Sequence, residues 1–305
     1  MRLVTRSDFD GLVCAVLLKE RGLITEYKFA HPKDLQDGLI EITDDDILAN
    51  VPYVKGCGMW FDHHTSETER VGQLEVPGDS RPLPSCARVI WEYYAGHKNF
   101  SSTLDPLLDA VDKVDSGQLS REDIENPQAW VLLGFIMDPR TGLGRYRDYR
   151  ISNYQLMEDM IEFCRHHEAE EILAHPDVQE RVKRYYEHVP LFKKMLQDNS
   201  KVHDKLVVTD LRNTDEIYCG NRFMLYTIYP DCNISMQVMW GMQKQNVVAT
   251  VGYSILNRTC KINVGSLMLK YGGGGHPQVG TCQVPLDRSE AVLRELTDAI
   301  VEMNK

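Results

Sequence analysis

Apolar and polar positions alternate in blocks along the first half of the chain, in the pattern of strands that each lead into a helix. Strands are predicted over residues 3–5, 39–43 and 56–59, and buried or amphipathic helices over residues 12–20, 86–94 and 104–114. Ser85 is the expected N-cap of the helix that begins at Cys86. This alternation predicts a parallel, doubly wound α/β sheet in the N-terminal part of the chain.

The pattern changes twice after residue 150. Residues 151–199 are charged, with apolar positions at helical spacing, and they are followed by β-rich runs at 205–209, 224–229, 235–240 and 247–253. A last amphipathic helix is predicted over 287–303. The chain therefore divides into an α/β domain over 1–150, a helical connector over 151–199 and a smaller α+β domain over 200–305.

Composition narrows the class of protein. Of 305 residues, 43% are hydrophobic and 26% charged, which is typical of a globular protein. Eight cysteines without a CxxC pair indicate reduced core thiols, and no apolar run approaches the roughly 20 residues of a membrane span. The absence of a signal-peptide pattern predicts a cytoplasmic protein without a membrane partner. The net charge of −11 argues against binding duplex DNA.

Carboxylates and imidazoles occur where the predicted strands end. Asp8 and Asp10 lie in the turn after the first strand, and Asp62, His63 and His64 follow the third. Active sites in α/β folds usually lie at the carboxyl ends of the strands. Capping of the following helix would explain Asp10 but not Asp8. Carboxylate and imidazole ligands together favour Mn, Fe, Co or Zn over Ca.

Two further acidic groups are candidates, with alternatives inside each. Asp44 and Asp46 follow the second predicted strand, where capping and solvation account for part of the acidic run. Asp112 and Asp115 lie in the helix predicted over 104–114 and at its end. Asp115 is the more exposed of the two by pattern, and Asp112 belongs to the polar face.

Two loops are candidates for binding phosphate. Residues 138–150 carry four arginines, which suit phosphate but are equally explained as surface charges balanced by nearby acids. Four consecutive glycines precede His276, and each glycine costs conformational entropy on folding. Such a segment lets a ligand approach the backbone, and its N–H groups form an anion nest, which we favour over a flexible linker.

Together, Asp8-x-Asp10-Gly11, Asp62-His63-His64 and the Gly272–His276 segment resemble the motifs of the DHH/DHHA1 phosphoesterases. This superfamily includes RecJ nucleases, oligoribonucleases (nanoRNases), cyclic-dinucleotide phosphodiesterases and members described as exopolyphosphatase-related. The resemblance covers nearly the whole chain. It implies a larger DHH domain with a parallel sheet, a smaller DHHA1 domain, and an active site in the cleft between them.

The resemblance also implies roles for individual residues. The implied metal ligands are Asp8, Asp10, Asp46, Asp62, His63 and Asp115, with Asp44 as the alternative to Asp46 and Asp112 as the alternative to Asp115. The implied catalytic residues are Asp62, His63 and His64. The implied substrate-binding residues are Arg258, Gly273, Gly274, Gly275 and His276.

One departure from the family pattern affects the metal. No His precedes Asp8, and Arg6 occupies the position where RecJ has an acidic residue. Arg6 is therefore a candidate for contacting substrate phosphate. The cofactor implied is a divalent ion, Mn(II) first and Mg(II) or Co(II) as alternatives, with one or two ions bound.

The implied function is hydrolysis of phosphodiester or phosphomonoester bonds in short nucleotides by a metal-dependent phosphoesterase. Oligoribonucleotides, linear dinucleotides and 3′-phosphoadenosine phosphate are the substrate classes. The alternatives are an exopolyphosphatase or pyrophosphatase, and a non-catalytic nucleotide-binding regulator. The expected partner is a short nucleotide, and a homodimer is compatible with the sequence.

Overall fold

The computed structural model describes residues 1–64, 67, 70–72 and 74–305. These residues form two compact units, each described by itself below. The first unit comprises Met1–Gln118 and Asn126–Tyr185, and the second comprises Leu119–Glu125 and Tyr186–Lys305.

The described strands and helices are numbered in chain order. The strands are β1 (Arg2–Thr5), β2 (Glu26–Phe29), β3 (Asp46–Ala49), β4 (Met59–Asp62), β5 (Gly78–Ser80), β6 (Ser200–His203), β7 (Leu206–Asp210), β8 (Ile234–Trp240), β9 (Asn246–Tyr253), β10 (Gly274–His276) and β11 (Val279–Pro285). The α-helices are α1 (Phe9–Glu20), α2 (Pro32–Gln36), α3 (Cys86–Tyr93), α4 (Asp105–Asp115), α5 (Arg121–Glu125), α6 (Ala129–Met137), α7 (Asn153–His166), α8 (Ala169–Ala174), α9 (Pro176–Asp198), α10 (Met224–Ile228), α11 (Val264–Leu269) and α12 (Ser289–Met303). Single 3-10 turns occur at Gly96–Lys98, Ser102–Leu104, Pro139–Thr141, Leu143–Arg145, Met242–Lys244 and Leu286–Arg288.

The first unit is built on a parallel sheet with the strand order β2-β1-β3-β4-β5. Thr5 pairs with Ala49, and Ala49 pairs with Phe61, so three central strands end at one edge. The chain leaves β1 toward β2 on one side, while β3 lies on its other side. In such sheets this switch point opens a crevice at the carboxyl ends of the strands. The predicted parallel α/β fold is confirmed.

Helix α1 crosses the centre of this unit. Its residues from Phe9 to Leu18 are all buried, which is why its sequence is apolar on every side rather than amphipathic. It packs against α3, α4 and α7. Asp8 is its N-cap. Ser85 caps α3 as predicted, since its side chain accepts a hydrogen bond from the Arg88 N–H.

The prediction of a strand over residues 39–43 was wrong, and so was the predicted position of Asp46 after a strand. Those residues are not a strand, and β3 begins at Asp46. Asp46 therefore lies at the amino-terminal edge of the sheet, where it pairs with Arg2, rather than at the carboxyl edge. Its carboxylate accepts hydrogen bonds from the Arg2 guanidinium and the Thr43 backbone N–H. The structure thus places Asp46 away from the edge where β1, β3 and β4 end.

The second unit contains a six-stranded mixed sheet in the order β10-β11-β9-β8-β7-β6. Its core includes alternating residues of β8 and β9 and the apolar faces of α11 and α12. The strand predicted over 224–229 was wrong, because Met224–Ile228 form a helix. Four consecutive side chains there, beginning at Met224, are buried, which suits a helix packed on all sides better than a half-buried strand.

The glycine segment is a hairpin rather than an open loop. Gly274–His276 form the edge strand β10, paired with β11. A Cβ on Gly273 would lie 2.2 Å from the Thr281 carbonyl oxygen, and Gly275 has a φ of +152°. Folding therefore requires glycine at these two positions. A Cβ on Gly274 would have no atom within 4 Å, so nothing in the described chain requires glycine there.

All eight cysteines are buried free thiols. Among the described residues, no helix combines the length and the apolar character needed to cross a membrane.

Candidate metal centre

Three of the predicted ligands meet at the carboxyl edge of the parallel sheet. Asp10 lies in the first turn of α1, His63 directly follows β4, and Asp115 is the last residue of α4. The His63 Nε2 atom lies 3.2 Å from Asp115 Oδ2 and 3.7 Å from Asp10 Oδ2. One ligand atom from each residue lies within 4.8 Å of the other two. This spacing suits three side chains around one cation.

The hydrogen bonding of His63 directs a lone pair into this cluster. Its Nδ1 lies 3.1 Å from the Leu83 carbonyl oxygen, which only accepts, so Nδ1 carries the proton. Nε2 is buried and has no hydrogen-bond partner among the described residues. In this tautomer a lone pair faces two carboxylates, an arrangement that a bound cation stabilises. Fixing of the second ring nitrogen by a carbonyl is typical of metal-binding histidines.

Asp10 is held by the beginning of α3. Its Oδ2 accepts a hydrogen bond from the Cys86 N–H and its Oδ1 one from the Ala87 N–H, both 2.9 Å long. Burial, together with the charge of Asp115, raises the pKa of Asp10 to about 7, although His63 opposes the shift. Without a cation this carboxyl group is therefore partly protonated at neutral pH.

The raised pKa of Asp10 predicts a pH-dependent response to metal. Because its folded-state pKa of about 7 exceeds the ordinary 3.8, the metal-free fold loses stability as the pH rises between these values. A cation requires the ionised carboxylate, so its affinity increases over the same range. We expect Mn(II) to raise the melting temperature more at about pH 8 than at about pH 6. Asp10→Asn should flatten this dependence, and an equal shift at both pH values in the wild type would contradict it.

Asp112 has a different role from Asp115. It accepts hydrogen bonds from Ser85 Oγ at 2.6 Å and from Arg88 Nε at 2.7 Å, which tie α4 to the beginning of α3. Asp115, three residues later, faces His63 instead. The structure therefore brings Asp115 into the cluster and leaves Asp112 outside it.

These contacts predict opposite outcomes for the two aspartates. Asp115→Asn should lower Mn(II) content and hydrolysis while leaving the melting temperature of the metal-free protein nearly unchanged. Asp112→Asn should retain metal but lose about 1–3 kcal/mol of unfolding free energy, because it weakens a charged hydrogen bond. Metal analysis and denaturant unfolding of both proteins are the measurements. Loss of metal from the Asp112 variant alone would reverse the assignment.

Asp8 contacts a residue that the sequence analysis missed. Its Oδ1 accepts hydrogen bonds from the Gly11 N–H and from Asn50 Nδ2, both 3.0 Å long. Its Oδ2 lies 3.0 Å from Arg6 Nε. Burial raises the pKa of Asp8, although the Arg6 charge counteracts this. Asn50 directly follows β3, and its φ of +56° is one that asparagine tolerates better than most residues. The apolar run before Asn50 was the signal that could have located it.

Asp62 and His64 form a second pair beside the cluster. The His64 Nδ1 atom lies 2.8 Å from Asp62 Oδ1. Burial lowers the pKa of His64, but the hydrogen bond and the negative charge of Asp62 outweigh burial and raise it. Asp62 Oδ2 is buried and has no partner among the described residues. Asp62 thus orients His64 through Oδ1, while its Oδ2 accepts no hydrogen bond from a described residue.

The arginines of residues 138–150 differ in their surroundings, and both phosphate binding and balanced surface charge were predicted for this segment. Arg140 Nε donates to Asp138, and although burial lowers the Arg140 pKa, the charges of Asp138, Asp8 and Asp115 raise it. Its guanidinium therefore lies within electrostatic range of the acidic centre. Arg150 instead pairs with the buried Asp177 on α9, so its charge is balanced within the first unit.

The candidate substrate-binding residues in the second unit are Arg258 and residues of the hairpin. His276 ends β10 with an exposed side chain, and Gly274 lies two residues before it on the same face of the strand. Arg258 is exposed and its Nε donates to the Ile255 carbonyl. These residues carry polar groups suited to anions, and their role in binding stays a prediction.

Comparison with known proteins gives matches among solved structures. No protein-family model matches the chain, and no curated protein does. A pGpG-specific phosphodiesterase, PggH from Vibrio cholerae, is 48% identical with a TM-score of 0.85, over 100% of this chain and 99% of that one. The chain belongs to the DHH family of phosphoesterases.

Two more distant structures share the fold. A DHH domain described as that of a member of a ribosomal protein family is 11% identical, with a TM-score of 0.61 over 100% of this chain and 87% of that one. Exonuclease RecJ bound to manganese is 14% identical, with a TM-score of 0.51 over 99% and 90%. The predicted two-domain DHH/DHHA1 architecture is confirmed. As a member of the DHH family, this chain is a hydrolase of phosphate esters.

Proposed function

We propose that this DHH phosphoesterase hydrolyses the phosphodiester bond of short linear nucleotides, with a guanine dinucleotide of the pGpG type as its preferred substrate. The observation that carries the proposal is the 48% identity, over 100% of this chain, to a phosphodiesterase specific for pGpG. Hydrolysis adds water across one P–O ester bond and yields two mononucleotides.

We assign Asp10, His63 and Asp115 as ligands of a divalent ion, Mn(II) by ligand type. An imidazole nitrogen beside carboxylate oxygens suits Mn(II) better than Ca, which prefers a shell of oxygen ligands. When bound, the ion supplies an acidified water and neutralises charge on the phosphoryl oxygens. The side chains present fit such a group, because His63 Nε2, which has no hydrogen-bond partner among the described residues, converges with the carboxylates of Asp10 and Asp115.

The neighbouring side chains have complementary roles in this proposal. His64, oriented by its hydrogen bond to Asp62, donates a proton to the leaving oxygen in this proposal. Arg6 and Arg140 provide positive charge for a substrate that is itself strongly anionic, in a chain whose net charge is −11. Arginine forks match phosphate oxygens in geometry as well as charge.

We assign nucleotide binding in the second unit to the hairpin and to Arg258. The residues are Arg258, Gly273, Gly274, Gly275 and His276. The exposed His276 and the open position at Gly274 support this assignment, because a ligand can approach the backbone there without displacing any described atom.

The test is a substrate panel with the purified, Mn(II)-loaded chain. It compares pGpG, a longer oligoribonucleotide, 3′-phosphoadenosine phosphate, inorganic polyphosphate and a nitrophenyl phosphodiester. We expect the highest kcat/KM for the dinucleotide. Faster hydrolysis of polyphosphate would favour the exopolyphosphatase alternative. Tight nucleotide binding without turnover of any compound would favour a regulatory role.

A further inference from the structure

The carboxylate of Asp8 is occupied by donors on both oxygens. Oδ1 accepts from the Gly11 N–H and Asn50 Nδ2, and Oδ2 lies 3.0 Å from Arg6 Nε. A carboxylate that binds a metal directs an oxygen at the ion rather than at a cationic side chain. Among the described residues, the convergent ligand group contains Asp10, His63 and Asp115 and does not include Asp8.

The two side chains that contact the Asp8 carboxylate, Asn50 and Arg6, carry no negative charge to hold a second divalent ion. The residue that follows β3 at the carboxyl edge is Asn50, a neutral amide that donates toward Asp8. Arg6 follows β1 and adds a fixed positive charge beside the same carboxylate. Asp46, the acid that the sequence analysis placed here, lies at the other edge and pairs with Arg2. A divalent ion on Oδ2 of Asp8 would therefore have to displace the Arg6 guanidinium.

We infer that the centre binds a single divalent ion on Asp10, His63 and Asp115, and that Arg6, held by Asp8, supplies the second positive charge to the substrate phosphate. This inference rests on the proposed phosphodiester hydrolysis. The side chain of Arg6 is 35% exposed, and its contact with Asp8 uses Nε. Its two terminal nitrogens remain to donate to phosphoryl oxygens, in the fork geometry that suits phosphate.

The glycine after the acidic pair keeps Arg6 in place. A Cβ on Gly11 would lie 2.0 Å from the Arg6 carbonyl oxygen, so the first turn of α1 packs directly on the backbone of Arg6. The same turn brings the Gly11 N–H onto Asp8. The guanidinium is thus attached to a rigid turn as well as to a buried carboxylate, which limits the entropy lost when phosphate binds.

The experiment measures metal stoichiometry directly. Wild-type protein is titrated with Mn(II), and free Mn(II) is followed by electron paramagnetic resonance. We expect one ion per chain at saturation. Arg6→Gln should still bind one ion with unchanged affinity, while its kcat/KM for pGpG falls by roughly 10- to 100-fold, as for loss of a charged hydrogen bond. Arg294→Gln, at an exposed position of α12, is the matched control and should change neither quantity.

A gain-of-site variant tests the same inference without relying on activity. The double substitution Arg6→His with Asn50→Asp replaces the cation by an imidazole and adds a carboxylate, and it should bind two ions per chain. Two ions on the wild type, together with pGpG hydrolysis, would overturn the single-ion inference and leave the proposed function standing. One ion on the wild type without hydrolysis of any phosphodiester would support the stoichiometry and contradict the proposed function.

Discussion

Replacing His63 by alanine is expected to remove the divalent ion and the hydrolytic activity together. His63 provides the only nitrogen of the described ligand group, and its Nε2 lies between Asp10 and Asp115. Since a bound metal contributes several kcal/mol to transition-state stabilisation, kcat/KM should fall by at least about 1,000-fold. The fold should persist, because the substitution loses one hydrogen bond, to the Leu83 carbonyl, worth about 1 kcal/mol.

The measurements are Mn(II) content, turnover of the dinucleotide and thermal unfolding of the metal-free protein. His97→Ala is the matched control, because His97 is an exposed histidine outside the ligand group, with Asp105 beside it. It should keep full metal content and activity. A His63 variant that turns over at a near wild-type rate with bound Mn(II) would refute the assignment of the centre.

Replacing Gly274 by valine is expected to lower dinucleotide hydrolysis without harming the fold. Within the glycine segment the positive φ angles belong to Gly272 and Gly275, so Gly274 is not needed for its backbone conformation. A side chain at 274 meets no described atom and stands on the same face of β10 as His276. A valine there blocks the approach of a nucleotide to the hairpin. We expect kcat/KM for pGpG to fall by at least about tenfold, as for loss of one charged hydrogen bond.

The contrast between two substrates separates blocked binding from misfolding. Gly274→Val should keep wild-type metal content, melting temperature and turnover of a small nitrophenyl phosphodiester. His276→Ala should also lose dinucleotide affinity, by roughly 1.5–3 kcal/mol. Gly273→Val is the comparison that should destabilise the hairpin, because its Cβ would lie 2.2 Å from the Thr281 carbonyl oxygen. Wild-type kinetics of both Gly274→Val and His276→Ala on pGpG would exclude the hairpin from substrate binding.

The two predictions address different units of the chain. The first removes an ion ligand at the carboxyl edge of the parallel sheet, and the second alters an edge strand of the mixed sheet. If only the first succeeds, the metal centre stands and the nucleotide-binding surface must be sought elsewhere. If only the second succeeds, the hairpin binds nucleotide and the ligand set needs revision.

Local sequence patterns predicted the architecture and three of the side chains that converge in the candidate metal site. Strand–helix alternation predicts a parallel sheet, and in such a sheet the turn after β1 and the end of β4 meet at one edge. Asp10 and His63 could therefore be predicted as neighbours although they are far apart in sequence. The capping role of Ser85 also follows from its place before an apolar helical run.

Register, side-chain orientation and close packing were decided only by the tertiary structure. Asp46 and Asn50 are four residues apart, and only the pairing of β3 with β1 shows which lies at the carboxyl edge. The contact of Asp112 with Ser85, rather than with a metal, depends on how α4 packs against α3. A helix at Met224 replaces a strand that local β-propensity favours, because its surroundings bury consecutive side chains. Sequence patterns report period and local preference, whereas these choices depend on partners distant along the chain, which only the folded chain brings into contact.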